Sequence, residues 1–261
     1  MNKPKKNILN QLFETRNDYI ENTEAINKEE FIKAVKSRRS VRNFNSEPIL
    51  EEHMRECLEL TLLAPNSSNL QPWEFFWVRS EEKKEKLIDY CLGQPAAATA
   101  QELVVAVARP DFWKVNQKRM LNLIEEMGDK APKSVKKYYG KIAPLAYQQG
   151  FLSIKGYVKK LAMELRGIKK PTPREPYNKK GMAVWAHKST ALACENLMLS
   201  LRAYGYDSCP MEGMDSKRIK KLLGLSSPAE ICMVISAGKR AENGVYGKQI
   251  RFNSEYFIHE I

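Results

Sequence analysis

The segment Ala64-Pro65-Asn66-Ser67-Ser68-Asn69-Leu70-Gln71-Pro72-Trp73-Glu74-Phe75 sets the reading of the whole chain. Pro65 ends whatever helix precedes it, because its ring lacks an N–H and restricts the residue before it. Asn66, Ser67, Ser68 and Asn69 are turn formers whose side chains also donate and accept hydrogen bonds. Trp73 to Val78 is apolar and rich in aromatics, which is the pattern of a buried strand. The stretch is therefore a helix stop, a polar loop and a strand. Taken alone, such a loop is punctuation.

An upstream segment gives it a second meaning. Phe31, Ile32 and Val35 have the spacing of a short helix, and Arg38-Arg39-Ser40-Val41-Arg42-Asn43-Phe44 follows at its end. Three guanidiniums and a hydroxyl then lie within about two helical turns of chain. Guanidiniums match phosphate oxygens, while amides and hydroxyls match the edge of a heterocyclic ring. Arg38, Arg39, Ser40 and Arg42, with Pro65, Asn66, Ser67, Ser68, Asn69 and Gln71, describe a site for a phosphorylated ring cofactor.

With these two motifs, in this order, the sequence resembles the nitroreductase superfamily, the FMN-dependent NAD(P)H oxidoreductases, from about Phe31 to the C-terminus. The resemblance implies that Arg38 and Ser40 meet the flavin phosphate and that Arg42 lies near the pyrimidine edge. A cation there stabilises the negative charge of reduced flavin. The resemblance extends to Pro210-Met211-Glu212-Gly213, where the family has a P-x-E-G turn whose Glu N–H bonds the flavin N5. Glycine at 213 lets main chain approach the ring. Farther on, the family places two basic residues, one apart, on the phosphate. Arg251 matches the second of these, and Gln249 stands at the first. Lys248 is the substitute at hand, although alternation along an extended segment turns it the other way. No side-chain acid, base or nucleophile and no metal is required, so the residues named are cofactor ligands.

Other elements follow from periodicity. Leu50, Met54, Leu58 and Leu62 predict a helix over about 51–63 with one apolar stripe. Ser80 is placed to cap a helix that ends near Leu92-Gly93. Strands are expected near 73–78, 103–108, 206–209 and 231–237. Helical patterns run from Phe112 to Met127 and from Lys133 to Arg166, and Pro171 to Pro176 forms a stiff link. Trp185 to Tyr204 reads as one long helix with small residues suited to close approach, and Asp215 caps a helix over 216–223. In this insertion Trp113, Tyr138, Tyr139 and Tyr147 are more often packing than flavin contacts. His187 and Cys194 share a helix face, but seven residues separate their backbones by about 10 Å, which excludes a direct hydrogen bond.

The fold expected is α+β, and the resemblance makes it nitroreductase-like. That means a central mixed β-sheet sandwiched by helices in an intertwined homodimer, with FMN at the interface. The organisation expected is an arm over 1–30 and one FMN-binding domain over 31–261, carrying a helical insertion at about 111–180.

Composition sets outer limits. The chain has 261 residues and 30.0 kDa, is 43% hydrophobic, and carries a net charge of +12 with pI near 9.4. Its lysines are spread rather than striped and no nucleic-acid motif is visible, so the charge points to anionic cofactors ahead of nucleic acid. Five scattered cysteines and only three histidines fit reduced thiols in a cytoplasmic protein and no metal cluster. No apolar run approaches the roughly 18 residues of a membrane span. The implied reaction is ping-pong: NAD(P)H reduces the flavin and an electron-poor acceptor such as a nitroaromatic or a quinone reoxidises it. Two other readings are another flavin chemistry on this fold (reductive dehalogenation or flavin breakdown) and a basic nucleic-acid binder.

Overall fold

The computed structural model describes residues 21–128 and 131–261. Most of the expected N-terminal arm, residues 1–20, lies outside the described residues. Helix α1 spans Lys28–Ser37 and starts at Asn27, whose Oδ1 accepts from the Glu30 N–H at 3.2 Å. Glu29 and Glu30 sit in its first turn, where the helix dipole favours them.

Helix α2 spans Glu51–Thr61, and its buried face is Met54, Cys57 and Thr61. The expected stripe of Leu50, Met54, Leu58 and Leu62 holds only at its centre, because Leu50 and Leu62 remain 51% and 48% exposed. The reason is geometric: a four-residue step overshoots a 3.6-residue turn by about 40°, so both ends of the row rotate off the core. Cys57 and Thr61 occupy the face instead, and the Thr61 hydroxyl returns a hydrogen bond to the Cys57 carbonyl at 2.7 Å.

Four strands form the sheet: β1 Trp73–Trp77, β2 Glu102–Ala108, β3 Asp207–Met211 and β4 Glu230–Gly238, in the order β1-β2-β4-β3. All three pairings are antiparallel. Parallel pairing enters at the bridge from Ser40 to Ser208, which lays the arginine segment along the outer side of β3. Strand β2 is buried on both faces, as its unbroken apolar sequence requires. Val104 and Ala106 face one core and Val105 and Val107 the other, following the two-residue period of a strand.

One core lies under helix α3 (Glu81–Tyr90), the short α4 (Pro95–Ala98) and helix α10 (Ser216–Leu222), where Leu87, Cys91 and Ile219 meet β2 and β4. The other is closed by α2 and the 25-residue helix α9 (Lys179–Ala203), whose Cys194, Leu197 and Leu201 pack on Ile235 and Ala237. Helix α9 begins earlier than its apolar pattern indicates, because Asn178 caps it by accepting from Gly181 N–H at 2.8 Å.

The expected second helix of the insertion is divided. After α5 (Phe112–Glu126) come α6 (Lys133–Lys137), a π-turn over Tyr138–Ile142, α7 (Ala143–Tyr147) and α8 (Ile154–Gly167). The break falls where Gly150, Leu152 and Ser153 take positive φ. Beyond it Gly156 packs against main chain: a Cβ there would lie 1.7 Å from the Tyr177 carbonyl oxygen.

Candidate functional site

The arginine segment is held by its backbone. Leaving α1 it turns extended, and Val41 N–H donates to the Ser208 carbonyl at 3.1 Å. Arg42 N–H donates to Gly244 O at 2.6 Å and Asn45 N–H to Lys239 O at 2.9 Å. Underneath, the buried carboxylate of Asp207 accepts from Arg240 at 2.6 Å, with Arg202 at 3.4 Å. These bonds bring together residues as far apart in the chain as Arg42 and Gly244. Arg38, Arg39 and Ser40 line a cavity of about 160 Å³ with Gln249 and Arg251.

Three guanidiniums, a hydroxyl and an amide are a donor set without an acidic competitor among the cavity's lining residues. That set fits a phosphate group. Arg39 is already oriented by its bond to the Gly247 carbonyl at 2.5 Å, and Arg38 by Glu195 at 3.6 Å. Lys248 is exposed and does not line this cavity, whereas Gln249 does. The residue standing where the family has its first basic ligand is thus the one turned inward, as the alternation of an extended segment favours.

Arg42 points the other way along the segment. Its Nη1 lies 2.7 Å from Cys209 Sγ on β3. Burial pushes the Cys209 thiol up, and the adjacent Arg42 charge works against that rise. Pro210 and Met211 belong to β3 itself, opposite Ile235 and Val234. Glu212 and Gly213 then leave the sheet, exposed. The Gly213 carbonyl accepts from Gln94 Nε2 at 2.7 Å, and a Cβ on Gly213 would meet only that Nε2, at 3.4 Å. The main chain here is therefore open to the approach of a flat ring. Asp215 ends the turn by capping α10, accepting from Arg218 N–H at 3.0 Å.

The polar loop is built differently. Ser68, Asn69 and Gln71 have φ of 62°, 46° and 44°, a left-handed run that non-glycine residues rarely adopt. Side chains hold it there. The Ser68 hydroxyl lies 2.5 Å from the Tyr138 hydroxyl and 2.9 Å from that of Tyr147. Ser67 Oγ lies 3.1 Å from Tyr147, and Tyr139 OH donates to the Ser68 carbonyl at 2.8 Å. Asn66 Oδ1 accepts from Gln71 N–H at 2.8 Å, and Asn116 Nδ2 donates to Leu70 O at 2.8 Å. Burial raises the Tyr138 and Tyr139 phenols above the ordinary tyrosine range.

Both serine hydroxyls, expected as cofactor ligands, are engaged by tyrosines of the insertion. These tyrosines, as partners of the serines, and Asn116 and Gln94 are the residues that sequence reasoning missed. Only their hydrogen-bonding capacity could have flagged them, and that does not distinguish them from surface residues.

Within one chain the loop stands apart from the arginine cavity and the Gly213 turn. Asn66 and Ser67 line a cavity of about 710 Å³ with Tyr147, Trp185 and Lys188. Asn69 and Gln71 line another of about 670 Å³ with Trp73, Phe75 and Phe112. Pro65 is exposed at the loop's entry. The two groups of expected ligands thus line separate cavities. Among the described residues no His/Cys/Asp/Glu grouping is suited to a metal ion, and no helix is long and apolar enough to cross a membrane.

Comparison with known proteins gives the family. The model of the Nitroreductase family matches residues 35–239, and the chain belongs to that family. Protein YdgI of Bacillus subtilis is 29% identical over 217 residues, which cover 82% of this chain and 90% of that protein. A protein named NADH dehydrogenase from Thermus thermophilus is 27% identical over 211 residues, covering 81% and 87%. Among solved structures, ydfN of Bacillus subtilis superposes with a TM-score of 0.71 at 23% identity, covering 90% of this chain and all of that one. An FMN complex from Exiguobacterium sibiricum superposes with a TM-score of 0.64 at 22% identity, covering 92% and 100%.

Proposed function

We propose that the protein is a homodimeric FMN-dependent oxidoreductase. It takes hydride from NAD(P)H and reduces nitroaromatic, quinone or similar electron-poor acceptors in a ping-pong cycle. The observation that carries this reading is the cavity of Arg38, Arg39, Ser40, Gln249 and Arg251, one strand away from the open backbone of Gly213. Bound FMN supplies reversible hydride acceptance, which no side chain of the chain provides.

The protein's own residues bind and orient. Arg38, Arg39 and Arg251 neutralise the phosphate, with Ser40 and Gln249 completing its hydrogen bonds. Arg42 sets a fixed positive charge beside the turn, where it favours a reduced, anionic ring. Glu212 and Gly213 offer main chain to the reactive edge of the ring, and Gln94 holds that backbone in place. Pro65 to Gln71 of the second subunit close the far side. The names of the relatives, NADH dehydrogenase among them, support a nicotinamide reductant.

Two separated half-sites favour the dimer. So does exposed apolar surface on α9 (Val184, Leu192) and on the tail (Ile250, Phe252, Phe257, Ile258). Residues 31–261 form the FMN-binding domain, with 111–180 as its insertion and 1–30 as an arm, in a cytoplasmic protein. The test is a spectrum of the purified protein, followed by anaerobic NADH and NADPH titration and size measurement by light scattering. A yellow dimer absorbing near about 450 nm, bleached by NAD(P)H and restored by a quinone, is expected. A colourless protein that FMN cannot load refutes the reading.

A further inference from the structure

Helix α8 packs on the rest of the chain through its small and polar residues. A Cβ on Gly156 would lie 1.7 Å from the Tyr177 carbonyl oxygen, and one on Gly167 would lie 2.3 Å from Arg174 Nη2. Between the two glycines Lys159 Nζ donates to the carbonyls of Ala146 at 2.5 Å and Pro176 at 2.7 Å. Glu164 accepts from Arg174 Nε at 2.9 Å. These contacts occupy one side of the helix.

The opposite side is apolar and uncovered. Ile154, Tyr157, Val158, Leu161, Leu165 and, just past the helix end, Ile168 are each more than half exposed. At 3.6 residues per turn they fall within an arc of about 100°. Phe151 and Leu152, also exposed, extend this surface ahead of the helix. An ordinary surface helix turns its apolar stripe toward the core and its charges to water. Helix α8 does the reverse, and apolar surface gathered in this way marks a contact face.

The charges around the stripe select its occupant. Residues 151–170 carry six cations, Lys155, Lys159, Lys160, Arg166, Lys169 and Lys170, against the single carboxylate of Glu164. That carboxylate is already paired with Arg174, whereas Lys155, Arg166, Lys169 and Lys170 are exposed. Lys155 and Arg166, three turns apart, share one flank of the stripe. A two-fold contact with a second copy would set these cations against their own counterparts, in a chain of net charge +12. An anionic bilayer instead offers phosphates to the cations and hydrocarbon to the stripe, and it yields around a convex ridge without a shaped groove. With 14 residues α8 is about 21 Å long, too short to span a membrane and suited to lie along one.

We propose that α8 is a membrane-surface anchor. Its apolar stripe enters the headgroup region of an anionic bilayer, and its exposed lysines and arginine meet the lipid phosphates. The anchor uses no residue of the proposed flavin site, so the two readings fail separately.

The test is flotation of the full-length protein with two kinds of vesicle, one of phosphatidylcholine alone and one of phosphatidylcholine and phosphatidylglycerol in equal parts. Flotation with the anionic vesicles, weakened by added salt, and little with the neutral ones is expected. Leu161→Ser with Leu165→Ser should lower affinity for the anionic vesicles by about tenfold or more. Lys155→Gln with Lys169→Gln should lower it by about fivefold for each charge. All four positions are exposed, so circular dichroism should show the wild-type fold in both variants. Hydrogen exchange of the wild-type protein should show α8 protected when anionic vesicles are added. Absence of flotation with the anionic vesicles overturns the proposal. So does binding that the leucine pair leaves unchanged, which assigns the attraction to general positive charge. If light scattering shows that the leucine pair turns a dimer into a monomer, the face belongs to a second copy and the proposal falls as well.

Discussion

The arginine segment and the polar loop were both legible as ligand-binding chain, yet the molecule holds them by opposite means. Residues 38–45 are fixed by backbone hydrogen bonds to β3 and to residues 239–244, which leaves Arg39 and Arg251 side chains facing a cavity. Residues 66–71 are fixed by side chains, chiefly three tyrosine hydroxyls and Asn66, in a backbone conformation they would not adopt unaided. Backbone pairing is indifferent to the side chain, so the first segment tolerates substitution and any loss there is a loss of ligand. The second depends on particular groups from the insertion, so a single change far along the chain disturbs it.

The contrast can be broken most forcefully at Tyr147. Its ring packs 4.8 Å from that of Trp185, and its hydroxyl meets both serines. Tyr147→Ala should cost about 3–5 kcal/mol, as expected for removal of a buried aromatic. Thermal melting checks this, with limited proteolysis at the 66–71 loop reporting where order is lost. Arg39→Gln, in the segment held by backbone, should leave the melting point nearly unchanged. It should still weaken FMN retention by the roughly 1.5–3 kcal/mol of a charge-assisted bond. Equilibrium titration with FMN measures that loss, and a variant that melts early but binds normally would invert the comparison.

A gentler probe, Tyr147→Phe, keeps the ring and removes only the hydroxyl. It should destabilise by about 0.5–1.5 kcal/mol, because the Ser67 and Ser68 oxygens lose a hydrogen-bond partner. Tyr138 and Tyr139 supply a pH test. Their phenols titrate above the ordinary value because burial opposes the phenolate. As pH rises past about 10, the unfolded chain releases these protons first, so the unfolded state binds fewer protons and stability falls. The contribution is complete below that pH. The double variant Tyr138→Phe/Tyr139→Phe should flatten this alkaline slope in denaturant melts. The smallest effect is expected for Ser68→Gly. It relieves about 1–2 kcal/mol of left-handed strain while giving up hydrogen bonds worth about the same, leaving the midpoint nearly unmoved.

Local pattern carried much of the architecture. The caps at Ser80 and Asp215 and the unbroken apolar run of β2 are short-range features, and the helices and strand they announce are present. Misreadings arose where a neighbour several turns away set the outcome. The Leu50–Leu62 row spiralled off the core, and the insertion helix broke at Gly150, beyond which Gly156 packs on Tyr177. In the site, the arginines were visible because guanidiniums in sequence are conspicuous. Gln94 was invisible, because an amide gains a role only from what stands opposite it. The cysteines show the same limit. Spacing along α9 excluded contact between His187 and Cys194, and nothing in either helix or strand alone indicated that Cys232 would share a cavity with His187.

By itself, then, the sequence determined most element types and the family and marked the candidate ligand segments, since these follow from residue chemistry and periods of two and 3.6. Tertiary structure alone decided which donors share a cavity and which serine hydroxyls are occupied. Those are contacts between elements far apart in the chain, set by how sheet and helices pack rather than by the local preferences of any one of them.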